Sequence, residues 1–169
     1  IDVDHFTETG WLLTRTLDDA GVVALRGWVD DIASWPDDGE GWLHHRERTL
    51  AGPALCRSEN LIPFHEGLRR LLTEGSMLET ASALLGEPAV LYKEKINYKL
   101  PGGGGYAPHQ DAPAYPFIDA HVSCMVAVDD ATRVAYVEVL ADEQTPTVVG
   151  FLERARAWYA ARGVLVTGL

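Results

Sequence analysis

A chain of 169 residues, 47% apolar and with five tryptophans, has the size and composition to fold around a buried core rather than remain disordered. Its formal net charge of −11 excludes the clustered Lys and Arg surface that nucleic-acid binding needs. No apolar run reaches the length of a membrane span, no basic-then-apolar leader opens the sequence, and Cys56 and Cys124 have neither zinc nor CxxC spacing, so the expectation is a soluble cytoplasmic protein with two free thiols.

Residues 10–15, GWLLTR, read as a short strand. Thr16 is placed to cap a helix running toward Trp35, with Asp18 and Asp19 in its first turn. Val22, Leu25, Trp28, Val29 and Ile32 recur at helical spacing and predict its core face. Pro36-Asp37-Asp38-Gly39 closes that helix as a turn. Residues 40–58 read as irregular. The adjacent His44 and His45 point apart in either regular structure, so they read as a solvated polar turn rather than a metal site. Two helices follow over 64–74 and 76–85, with Ser76 as cap of the second and Gly86 and Pro88 ending it.

From Ala89 the period shifts toward strand, and residues 89–99 lead through Pro101 into four glycines, 102–105. The glycines are too costly in entropy to hold as helix or strand, and they lack the pattern of a phosphate-binding loop. Beyond them stands His109-Gln110-Asp111. A His and an Asp two apart on an extended segment project to one face, within reach of one metal ion. Two His and one carboxylate form the facial triad of non-heme Fe(II) oxygenases, and His109 and Asp111 would supply two of those three ligands. His121–Val128 is a second apolar stretch, and Val134–Leu140 has strand character. Val148, Phe151, Leu152, Ala155, Trp158 and Tyr159 make one apolar stripe, predicting a helix near 145–162.

The segments RSENLIPFHEGL, KINYKLPGG, APHQDAPAY and MVAVDDAT resemble the bacterial phytanoyl-CoA dioxygenase family of Fe(II)/2-oxoglutarate oxygenases over residues 1–132. The resemblance implies an α+β fold: an incomplete double-stranded β-helix of jelly-roll or cupin type, with N-terminal helices and a C-terminal helix. It implies Fe(II) on His109 and Asp111, 2-oxoglutarate as co-substrate, and hydroxylation of a small molecule or acyl thioester. Lys95, Met125 and Asn60 match positions that line the co-substrate site. Lys95 also reads as a solubilising charge at a strand edge, and Met125 as a core residue.

From about residue 126 to residue 169 the chain resembles the integrase-like core of insertion-sequence transposases, through DDATR-AYVEVL and FL-RA-AWYAARG. The two resemblances divide it into a truncated oxygenase-like domain, 1–132, and a grafted strand-helix segment, 133–169. Asp129, Asp130 and Glu138 do not sit at the transposase metal positions, so the graft brings no catalysis. In the oxygenase family the distal His and the Arg that pairs with 2-oxoglutarate lie well downstream of His-X-Asp. His121 comes too early to be that His, and Arg133, Arg154, Arg156 and Arg162 all lie in the graft. The expectation is therefore an impaired oxygenase. The alternative is a non-enzymatic relic or transposase-derived fragment that self-associates through open sheet edges.

Overall fold

The computed structural model describes residues 1–98, 115–128, 135–140 and 145–163. His109, Asp111 and the four glycines lie outside them. The chain divides into two compact units, one formed by Ile1–Asp18, Glu79–Ala89 and Tyr106–Leu169, the other by Asp19–Leu78 and Val90–Gly105.

The first unit opens with a helix the sequence did not announce, α1 (Val3–Thr9). Asp2 caps it by accepting from the His5 amide at 2.9 Å, and Gly10, left-handed at φ 78°, ends it. Strand β1 (Trp11–Leu13) follows as expected. It pairs antiparallel with β6 (Ala135–Leu140), which also pairs antiparallel with β5 (Ser123–Val128), giving the order β1-β6-β5. Helix α5 (Thr145–Ala160) matches the predicted C-terminal helix. Its buried residues Phe151, Ala155 and Tyr159 recur every fourth position and pack against Trp11, Met125 and Ala127. The Tyr159 hydroxyl donates to the Ala127 carbonyl at 3.2 Å. Phe6 and Leu12 form a second cluster with Leu84, Val122 and Cys124. The residues after 132 thus supply the central strand of this sheet and a helix packed on residues from β1 and β5.

The second unit holds α2 (Asp19–Ala33), β2 (Leu43–Thr49), β3 (Gly52–Glu59), α3 (Glu66–Thr73) and β4 (Lys95–Asn97). Helix α4 (Gly75–Leu85) begins in this unit and ends in the other. Leu25 and Ile32 are the buried residues of α2, in agreement with the predicted stripe. The helix starts at Asp19, which leaves Thr16 outside it. Ser76 is likewise no cap, because α4 already begins at Gly75, and Gly86 ends that helix at φ 74° with its amide on the Ser82 carbonyl.

Residues 40–58 are the main correction to the sequence reading. They are not irregular: β2 and β3 form an antiparallel hairpin that pairs His44 with Ser58 and His45 with Arg57. His44 and His45 are strand residues, not a solvated turn. Polar residues on both faces hid the alternation that normally marks a strand. Of the strand expected over 89–99, the described residues form Lys95–Asn97, which adds to β3 and completes the order β2-β3-β4. Mixed helices and antiparallel strands agree with the α+β expectation, and neither three-stranded sheet is by itself a jelly roll.

Leu61 is 0% exposed in the turn after β3, whereas Leu50, at the hairpin tip, is 112% exposed. Leu61→Ala is expected to cost about 2–5 kcal/mol, and Leu50→Ala to stay within about 0.5 kcal/mol of wild type. The shift of the urea midpoint for the two variants measures this contrast.

Candidate functional site

The hairpin and β4 place three rows of residues across the second unit's sheet: Leu43, Glu59 and Lys95; His44, Ser58 and Ile96; His45, Arg57 and Asn97. Because side chains alternate, the first and third rows share one face and the middle row takes the other. One face carries charge. Glu59, only 9% exposed, meets Arg57 Nε at 2.6 Å, Lys93 Nζ at 3.0 Å and His45 Nε2 at 3.5 Å. Lys95, beside Glu59 in the register, is exposed on the same face, as is Asn97 beside Arg57.

Burial alone would raise the Glu59 carboxyl, but the hydrogen bond and charge of Lys93, with Arg57 and His45, outweigh it and hold the group below its ordinary 4.5. A buried carboxylate needs such partners, since desolvation penalises the charged form.

The opposite face carries a hydrogen-bonded chain. The fully buried Ser58 hydroxyl donates to the Tyr98 hydroxyl at 3.1 Å and stands 2.8 Å from His44 Nδ1. The direction of the Ser58–His44 contact follows the imidazole tautomer, and the other ring nitrogen of His44 is Nε2. That nitrogen is buried without a hydrogen-bond partner among the described residues. Burial is also the main reason the Tyr98 phenol lies above its ordinary 10.0.

The remaining predicted site residues are well separated in role. Asn60 adopts a left-handed backbone at φ 59° and donates from its side-chain amide to the Gly41 carbonyl at 2.6 Å. The turn it opens is held by Glu94, whose carboxylate accepts from the Leu61 amide and, at 3.2 Å, from the Ile62 amide. Met125 packs against the Phe151, Ala155 and Tyr159 cluster of the first unit, the position a core methionine would take. His121 is half-buried just before β5. Among the described residues no three His, Cys, Asp or Glu side chains gather as a metal site, and His109 and Asp111 fall outside them. Sequence reasoning missed Glu59, Arg57 and Lys93. Their signal was the charge spacing RSE and KEK, legible only once the register of β3 and β4 is known.

Comparison with known proteins defines the class. The profile of the phytanoyl-CoA dioxygenase (PhyH) family matches residues 6–135, and the chain belongs to that family. It is 53% identical over 131 residues to a methylphosphonate hydroxylase of Gimesia maris, covering 77% of this chain and 50% of the relative. It is 38% identical over 117 residues to a 2-aminoethylphosphonate dioxygenase of an uncultured bacterium, covering 67% of this chain and 45% of the relative. A dioxygenase of Epichloe uncinata is 36% identical over 109 residues, covering 64% of this chain and 43% of the relative. The chain thus spans about half the length of the curated relatives it matches. No solved structure matches it significantly. Family and relatives together support an oxygenase-type function.

The depressed Glu59 carboxyl carries a pH prediction. Its contribution to stability is complete above the ordinary carboxylate value of 4.5 and is lost as pH falls below that, through the lowered folded value. Glu59→Gln should cost about 1–3 kcal/mol at neutral pH and lose less stability than wild type on acidification. Urea unfolding at several pH values reads the difference. Parallel pH curves for the two proteins would contradict the ion-pair assignment.

Proposed function

We propose that this chain carries the metal-binding half of an Fe(II)/2-oxoglutarate-dependent oxygenase acting on a small phosphonate. The observation that supports this most is the 53% identity to a methylphosphonate hydroxylase over 131 residues, within the stretch where the family profile matches. The second phosphonate oxygenase among the relatives points to the same substrate class. His109 and Asp111 would hold the iron, and the borderline nitrogen and hard oxygen of that pair suit Fe(II). Bound there with 2-oxoglutarate, the metal would supply the dioxygen chemistry of hydroxylation.

Around it, this chain's own residues would bind and orient. Lys95 and Asn97 share a sheet face with Arg57 and Glu59, so this face carries the cations of Lys95 and Arg57, and β4 precedes the His-X-Asp segment in sequence. Such a face suits a dianionic co-substrate or a phosphonate. Asn60 would act through the turn it opens and Met125 through packing.

The proposal includes the reading that residues 133–169 are a graft lacking the family's distal His and co-substrate Arg. On this reading the chain by itself binds metal and 2-oxoglutarate weakly and turns over slowly.

Two readouts test the two parts separately. Mixed anaerobically with Fe(II) and 2-oxoglutarate, the protein should develop the visible charge-transfer band of the iron chelate, lost in His109→Ala and Asp111→Ala. Absence of the band at millimolar reagents would remove the oxygenase assignment. Succinate release in air, with ascorbate and methylphosphonate, should stay near background. Robust release abolished by Asp111→Ala would instead overturn the impaired-graft reading.

A further inference from the structure

The second unit carries an aromatic recess that the oxygenase reading does not use. It has a volume of about 570 Å³ and is lined by Asp31, Trp35, Pro36, Trp42, Phe64, His65, Glu66 and Gly67. Four of these eight are aromatic rings, set at angles to one another. Trp35 and Trp42 stand 4.8 Å apart between centroids and tilted by 55°, and Trp42 meets Phe64 edge-on at 5.2 Å. Trp35 and His65 lie 6.2 Å apart. The arrangement is held from behind. Trp42 Nε1 donates to the Pro36 carbonyl at 2.9 Å, and His65 Nδ1 accepts from the Leu68 amide at 3.0 Å. At Gly39 a Cβ would fall 1.8 Å from the Trp42 ring, so only glycine admits that ring position.

The charge at the recess is as informative as its shape. Asp31, with Asp30 beside it, stands in the last turn of α2, a turn that contains no basic residue. The C-terminal end of a helix is its negative pole, where acidic side chains are unfavourable and cations favoured. The Asp31 carboxylate is exposed and stands 3.9 Å from His65 Nε2. Glu66 differs. It sits at the positive end of α3 and is bound by Arg69 and Arg70, whose hydrogen bonds bring its carboxyl to about 2. Asp31 and the carbonyl end of α2 therefore set negative potential beside aromatic rings whose π faces are themselves negative.

We propose that this recess binds an organic ammonium ion of the quaternary or methylated alkylammonium class. Its methyl groups would lie against Trp35, Trp42 and Phe64, and its charge would face Asp31 and the α2 terminus, the combination by which aromatic cages recognise such cations. A small metal ion would be held poorly here, because rings displace none of its hydration. An anion would be repelled by Asp31. The site is independent of the metal chemistry proposed above, and neither reading depends on the other.

The test compares choline with 3,3-dimethylbutan-1-ol, its uncharged isostere, by tryptophan fluorescence at constant ionic strength. Choline should give a saturable change at millimolar concentration, with the isostere at least about tenfold weaker. Asp31→Asn should weaken choline binding by about fivefold without altering the circular dichroism spectrum. Trp35→Phe should retain partial binding and Trp35→Ala should lose it. An equal response to both compounds would show a merely apolar groove and overturn the proposal. So would no response to choline, or unchanged affinity in Asp31→Asn.

Discussion

The second unit's sheet depends on one nearly buried carboxylate, Glu59, held between Arg57, Lys93 and His45. Unpaired, a carboxylate there would carry an uncompensated desolvation penalty. Paired, it ties residues from β2, β3 and the approach to β4 at a single point. The same strand places Ser58 on the opposite face, where its hydroxyl joins His44 to Tyr98. Two consecutive residues of β3 thus organise two faces of different chemistry. A one-residue slip of register would exchange them and bury the wrong group on each side.

In the first unit the equivalent constraint is apolar. Strand β6 lies between β1 and β5, so pairing joins residues 11–13 to residues 123–128 only through residues 135–140. Helix α5 then covers Trp11, Met125 and Ala127. Whatever its origin, the segment after residue 132 is integrated into the fold, and removing it would strip this sheet of its centre. The family match ends at residue 135, at the start of that central strand.

Helix α5 was legible in the sequence because its apolar stripe repeats at helical period, and α2 was legible for the same reason. The end of α4 at Gly86 was legible because glycine alone enters the left-handed region without strain. The β2-β3 hairpin was not. LHHRERT has polar groups on both faces, and its partner GPALCRSE hides Ser58 and Glu59 among residues that usually stay in water. Their burial depends on partners across the sheet and from Lys93, which period and propensity do not encode. His65 caps α3 by accepting from the Leu68 amide, and it escaped notice because Ser, Thr, Asp and Asn are the usual helix caps. The His-X-Asp motif and the family were legible from residue order alone, since both are local patterns. The contacts of Lys95 and Met125 needed the register and the packing.

Mn(II) titration followed by electron paramagnetic resonance tests the proposal that His109 and Asp111 hold a divalent metal in a PhyH-family site. Weak binding of one ion per chain is expected, eliminated by His109→Ala and by Asp111→Ala and unchanged by His121→Ala. Tight binding that survives both of the first two substitutions would place the ligands elsewhere and contradict the proposal.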